Sequence, residues 1–378
     1  MKKLYFVAIF CLLLISSLLF IATFLFDSPK SESPDVFVGI DVAYDGIEEI
    51  KTLVDRVSSY TNLFVIGSTG ISYDQMKLEE TCQYLTDRDM QFIIYSELPF
   101  RLELIHNVSK NYEDNFMGIY YLDEQGGRQL DIADYRWVEN AENYTDAANQ
   151  FVEGLNWWLN RRTYGNITLP YAASDFRLFT SDYSLYWFDY QAGYDVVFAE
   201  FGWNYSRQLN VALCRGAATV QNKEWGVMIT WTYNHPPYIA SGPELYEDMV
   251  LAYDNGAKYI LVFDTNENYT EGILKEEHFE ALEDFWQYAQ THPRDSNQAE
   301  KRVAFVLPEG YGYGFRGPED KIWGLWEDTI LSLEMSHHLG SYLEEYGINL
   351  DIIYGNKIET NENYKKYIFW NGIIVTDP

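Results

Sequence analysis

Eight short runs rich in Val, Ile, Phe and Tyr punctuate the chain at 36–40, 63–66, 91–95, 117–122, 167–171, 196–201, 225–232 and 259–263. Runs that are nearly apolar throughout, instead of alternating with polar residues, predict strands covered on both faces, as in a parallel sheet. Parallel neighbours need crossover connections, and the amphipathic stretches 46–60, 74–88, 146–162, 243–255 and 276–289 are long enough to be crossover helices. In the last of these, Phe279, Leu282, Phe285 and Trp286 recur at helical spacing and form a core-facing stripe. Eight strand–helix units over 36–290 predict an α/β fold of the (β/α)8 TIM-barrel type. An open doubly wound sheet is the alternative, but no Gly-x-Gly-x-x-Gly follows the first run, where a dinucleotide fold would carry it.

Residues 4–26 carry no charge, follow Lys2 and Lys3, and precede a polar linker at 27–35. At about 1.5 Å per residue this run spans the roughly 30 Å hydrocarbon core of a bilayer. Bases before it and acids after it predict a single-pass transmembrane anchor, with residues 1–3 cytoplasmic and the globular part extracytoplasmic. A cleaved secretory signal is the alternative, although the run is long for one and no clear small-x-small site follows. Beyond a second polar linker at 291–300, residues 301–378 read as strand (302–307), helix (329–346), strand (350–354) and a last apolar run (368–375). This pattern predicts a small accessory domain of Rossmann-like or flavodoxin-like type, packed on the barrel through the aromatic loop from Tyr311 to Trp326.

The 57 acids against 27 bases give a formal charge of −30, which repels phosphate backbones and excludes nucleic acid as a partner. Cys11 falls in the apolar run, leaving Cys82 and Cys214, too few for a disulfide framework and enough for one bridge. Five Asn-x-Ser/Thr sequons, at Asn107, Asn143, Asn166, Asn204 and Asn268, are compatible with a glycosylated exported protein. The six histidines lack metal-ligand spacing, and neither a phosphate-binding loop nor a Gly-x-Ser-x-Gly elbow is present. No metal and no cofactor are expected.

In such a barrel the active site lies at the C-terminal ends of the strands. Six of the eight runs bring a carboxylate there: Asp41, Glu97, the Asp123–Glu124 pair, Asp175, Glu200 and Asp264. Tyr121, Trp203, Trp231 and Tyr233 accompany them. Acids with aromatic platforms suit a neutral polyhydroxyl ligand, because ring faces pack on the apolar side of sugars. Glycoside cleavage needs two carboxyl groups across the scissile bond, one protonated and one ionised. Crowding acids in a partly apolar pocket raises the pKa of one and lets it keep its proton. We assign Glu124 as general acid/base, Asp123 as the group orienting it, and Glu200 as nucleophile or base. A structural ion pair of Glu200 with Arg215, and helix capping or an Arg128 pair by Asp123 and Glu124, are the competing readings. Asp41, Tyr121, Asp175, Trp203, Trp231, Tyr233 and Asp264 are expected to contact the carbohydrate.

The segments 118–124 (GIYYLDE), 194–203 (YDVVFAEFGW) and 225–231 (WGVMITW) resemble those of TIM-barrel glycoside hydrolases, over roughly residues 36–290. The tail resembles the flavodoxin-like regions that follow some of these barrels. The resemblance implies acids after strands four and six, since no carboxylate closes the seventh run. It implies an enzyme cleaving envelope glycans or polysaccharides. A catalytically inactive carbohydrate-binding or cell-envelope structural protein is the alternative, and a deacetylase of polysaccharide substituents a further one.

Overall fold

The computed structural model describes residues 35–294, 302–317, 320–355 and 364–376. The expected membrane anchor at 4–26 and most of both linkers lie outside the described residues. Among the described ones, no helix is long and apolar enough to cross a membrane.

Eight parallel strands close into a barrel in sequence order: β1 (Phe37–Val42), β2 (Leu63–Ile66), β3 (Gln91–Ser96), β4 (Phe116–Tyr121), β5 (Leu178–Asp182), β6 (Val196–Phe201), β7 (Glu224–Ile229) and β8 (Tyr259–Asp264). Closure places Phe37 of β1 opposite Tyr259 of β8 and Val42 opposite Asp264. The helices α1 (Ile47–Val57), α2 (Gln75–Thr86), α3 (Leu102–Ser109), α4 (Gln125–Asp131), α5 (Tyr144–Asn160), α6 (Tyr186–Ala192), α7 (Arg207–Gln221), α8 (Gly242–Asp254) and α9 (Glu276–Thr291) follow the strands in turn. Local chemistry starts several of them. Asp74 accepts from the Met76 and Lys77 amides ahead of α2, Asn143 from Asp146 ahead of α5, and Ser206 from Leu209 ahead of α7.

One strand was expected in the wrong place. Of 167–171, only Ile167 and Thr168 pair, in an exposed two-residue hairpin with Thr163 and Tyr164. The fifth barrel strand is Leu178–Asp182, whose Thr180, Ser181 and Asp182 hid it from a search for apolar runs. Helices α3, α4, α6 and α7 were not expected either.

The barrel interior is filled by Leu63, Val65, Ile93, Phe179, Val196, Phe198, Met228 and Leu261, with Phe179 and Phe198 stacked at 5.9 Å and Tyr259 edge-on to Phe179 at 5.6 Å. This plug leaves only the C-terminal end of the strands open to a ligand. The outward strand faces and the helices form a second, larger apolar layer that includes Phe279, Leu282 and Phe285 of α9. Cys82 and Cys214 are both buried and free, so the single bridge allowed by the sequence is not formed. All five sequon asparagines are exposed.

The tail is a four-stranded sheet of β9 (Val303–Leu307), β10 (Leu350–Tyr354), β11 (Lys366–Phe369) and β12 (Ile374–Thr376), ordered β10-β9-β11-β12, with helix α10 (Ile330–Tyr346). The first three strands run parallel and β12 is antiparallel, so the last apolar run is a hairpin in a small mixed sheet. The tail is joined to the barrel by burial and charge. A Cβ on Gly216 of α7 would lie 2.4 Å from the Ile352 carbonyl, so only glycine admits β10 at this distance. Beside it the enclosed Arg215 pairs with Asp351 at 2.7 Å and donates to Asn255 and to the Ile348 and Leu350 carbonyls. The aromatic loop packs as expected: Trp323 is fully buried, and its carbonyl accepts from Gln129 of α4 at 2.9 Å.

Arg215→Met should destabilise the whole protein by about 3–5 kcal/mol, because Asp351 would remain buried without its main partner. Chemical denaturation followed by both tryptophan fluorescence and circular dichroism checks this; a loss below about 1 kcal/mol would show that the pair does not join tail to barrel.

Candidate active site

The chain leaves β4 through an unusual backbone. Leu122 and Glu124 both hold left-handed conformations, with φ of 60° and 55°, so Asp123 sits between two residues that each carry strain of about 1–3 kcal/mol. Neighbouring strands hold the kink. The Leu122 amide donates to the Ser96 carbonyl, Glu124 donates to Ser181, and Thr180 Oγ1 donates to the Leu122 carbonyl at 3.1 Å. Gly126 and Gly127 lie in the first turn of α4. A Cβ on Gly127 would fall 2.1 Å from the Tyr183 ring, and both amides donate to the Asp182 carboxylate. Asp182 thus occupies the positive end of α4 and fixes where Glu124 begins it.

This kink turns Asp123 towards the barrel axis. Its Oδ1 accepts from the Tyr120 hydroxyl and lies 2.9 Å from Ser181 Oγ, which is itself 2.5 Å from Glu200 Oε1. One serine hydroxyl has one proton and cannot donate to both acids, so one of the two carboxyls must bring its own. Glu200, 4% exposed, is that group: burial first, then the charges of Glu124 and Asp123, push it well above the usual range. Glu200 is then the carboxyl that carries a proton on the Ser181 bridge. Burial raises Asp123 as well, while the Tyr120 and Ser181 hydroxyls and the nearby Arg128 limit the rise.

Glu124 stands beside these two, close enough for its charge to act on Glu200. Burial, followed by the charges of Asp123 and Asp182, pushes it up to about 8, so it keeps its proton at neutral pH. Behind it is a second acid pair. Asp182 and Asp189 of α6 are both fully enclosed; among the described residues no hydrogen-bond partner reaches the Asp189 carboxyl, and burial, then the charge of Asp182, pushes it well above the usual range. Asp182 is lifted to about 7, chiefly by burial and against four backbone donors.

A cavity of about 410 Å³ opens above Asp123, lined also by Asp41, Glu97, Tyr95, Tyr120, Phe263 and Tyr269. Glu97 is shared with an adjoining recess of about 400 Å³ that contains Arg128, Tyr135, Trp137 and Trp158. Arg128 forms no salt bridge among the described residues and lies over the Tyr135 ring at 4.5 Å, which removes the Arg128 pair considered for Asp123 and Glu124. Glu200 likewise has no contact with Arg215, which is committed to Asp351. A larger recess of about 870 Å³ between α8 and α9 contains none of the strand-end carboxylates.

The remaining expected residues divide. Asp41 lines the cavity. Asp264 ends β8 as anticipated but is occupied by the Ile273 and Leu274 amides, organising the loop that carries Tyr269. Trp231 donates to the Thr265 carbonyl and packs on Tyr238 and Phe263 behind the cavity wall, and the Trp203 amide donates to Trp231. Tyr121 points outward into the barrel–helix layer and is fully buried; strand alternation puts Tyr120 in the cavity in its place. Asp175 precedes β5, away from the ligand-binding end, and is bound to Arg162 at 2.5 Å. Tyr233 is 42% exposed on a loop outside the cavity lining. Sequence reasoning missed Ser181, Asp182 and Asp189 with their strand; Tyr120 was legible as the alternate face of 118–124. No group of three acids, histidines or cysteines among the described residues has the arrangement of a metal site.

No family model and no curated protein matches the chain. Solved structures overlap it at low similarity. The endo-β-1,4-mannanase of Thermotoga petrophila is 10% identical, with a TM-score of 0.39 over 71% of this chain and 81% of its own. A catalytic module of the pneumococcal exo-β-D-N-acetylglucosaminidase is 10% identical, with a TM-score of 0.39 over 71% and 86%. A 3-deoxy-D-arabino-heptulosonate 7-phosphate synthase from Thermotoga maritima is 8% identical, with a TM-score of 0.37 over 68% and 86%. These likenesses concern the path of the chain and span different reactions.

The raised Glu124 carboxyl gives a stability test. The folded form keeps a proton that the unfolded chain loses near its ordinary value of 4.5, so the stabilisation is complete below that pH and disappears as pH rises through about 8. Melting temperatures of the parent measured against Glu124→Gln should therefore fall between about pH 5 and 8. A constant difference over that window would place the Glu124 pKa in the normal range.

Proposed function

We propose that this chain is a glycoside hydrolase with a two-carboxylate mechanism, held to a membrane by residues 4–26 and acting on envelope glycans or polysaccharides outside the cytoplasm. The observation that carries the reading is the grouping of carboxyls at the cavity: Asp123, which accepts from two hydroxyls, lines it, and the adjacent Glu124, pushed up to about 8, holds a proton near neutral pH. Glu124 is suited to protonate the leaving glycosidic oxygen, and Asp123 to attack the anomeric carbon or to activate water. These positions favour exchanging the roles expected for Asp123 and Glu200. Glu124 regains its proton from the water that completes hydrolysis, Glu200 holds Ser181 against Asp123, and the adjoining recess with Trp137 and Trp158 offers ring faces to the next sugar.

A recognition protein without catalysis is the second reading. It is favoured by the cavity lining, which includes Asp123 but neither Glu124 nor Glu200. Hydrolysis of a polysaccharide panel by the full-length chain in detergent separates the two. Cleavage that falls at least about 100-fold in both Asp123→Asn and Glu124→Gln, with folding intact, is the expected result. Saccharide binding without cleavage, unchanged in either variant, would establish the recognition reading.

A further inference from the structure

The cavity at the strand ends is lined by three carboxyl groups, Asp41, Glu97 and Asp123, together with the rings of Tyr95, Tyr120, Phe263 and Tyr269, and by no basic side chain. Asp41 is the unexplained member. It is 3% exposed, no hydrogen bond reaches its carboxyl among the described residues, and its Oδ1 is fully enclosed without a partner against Gly67. A buried carboxyl oxygen left unmatched is costly, and Asp123 adds a like charge nearby. The second cost would be relieved by a ligand that brings a positive charge into the cavity, where Asp41 is part of the lining.

From this lining we infer that the sugar bound above Asp123 is a hexosamine with a free, protonated amine, its ammonium directed at Asp41 and its ring enclosed by Tyr95, Tyr120 and Tyr269. The inference rests on the glycosidase reading and adds the substrate class. An ammonium meets both kinds of wall favourably, since carboxylates attract it by charge and ring faces by their quadrupoles. A sugar carboxylate would instead meet like charge, and an N-acetyl group brings no positive charge to the acids. A divalent metal is a poorer match, because the acids here do not converge as a ligand set. The volume of about 410 Å³ suits one sugar ring, and the −30 charge of the chain draws a polycationic polysaccharide towards it.

Calorimetric binding to the full-length chain in detergent at about pH 6, where a sugar amine is protonated, tests this with three probes of equal length: a glucosamine oligosaccharide, its fully N-acetylated form, and a neutral gluco-oligosaccharide. The amine form should bind at least about tenfold tighter than either of the others. Asp41→Asn should remove most of that preference and leave binding of the N-acetylated form within about twofold. One charge in so acidic a chain would not alter non-specific polycation binding to that extent. Glu97→Gln, at an exposed position, should reduce the preference in the same direction and carries the test if Asp41→Asn does not fold. Equal or tighter binding of the N-acetylated or neutral probe, or a preference untouched by the folded variants, overturns the inference. Cleavage of a neutral glycan that depends on Asp123, without amine preference, would overturn it and leave the glycosidase reading standing. Amine preference lost in Asp41→Asn, without cleavage of any glycan, would do the reverse.

Discussion

Closure of eight parallel strands forces every strand to end on one circle, and the chemistry at that circle follows from what the strands carry there. Here they carry acids with almost no bases: Asp41, Asp123, Asp182, Glu200 and Asp264 are each partly or fully withdrawn from water. So many carboxylates cannot all ionise in a small desolvated space. The fold answers by raising the pKa of Glu124, Asp182 and Glu200 and by bridging Asp123 and Glu200 through the Ser181 hydroxyl. Carboxyls of unequal proton affinity are therefore a direct result of barrel geometry acting on this composition.

Holding those groups in place requires strain. The left-handed residues on either side of Asp123 are tolerated because β3, β5 and the first turn of α4 all bind the same short segment. Asp182 is central to that support. It gathers four backbone amides, two of them from the glycines that open α4, and so ties the fifth strand to the helix that begins at Glu124. Much of the precision of the site thus comes from an acid that does not face the cavity.

Seven of the eight strands were legible because their interiors are apolar, and periodicity reads apolarity well. The eighth, Leu178–Asp182, was invisible for the reason that makes it important. Thr180, Ser181 and Asp182 hold the kink and bridge Asp123 to Glu200, so this strand breaks the pattern that announces a strand. Assigning 167–171 as a strand instead carried Asp175 to the wrong end of the barrel. Asp123, Glu124 and Glu200 were found because adjacent acids after a strand, and an acid within one, are costly enough to stand out. Which of them faces the cavity depends on two left-handed residues, and neither Leu122 nor Glu124 is a type that signals such a conformation.

Gly216 has a consequence for how this chain changes over generations. The helix bearing it follows the strand of Glu200, and the backbone of the tail lies directly on it. Replacing the tail with another module would require matching changes at Arg215, Gly216 and Gln129 together, because each meets the tail directly. Barrel and tail are therefore expected to be inherited as a single cassette, with sequence drift in one constrained by the other.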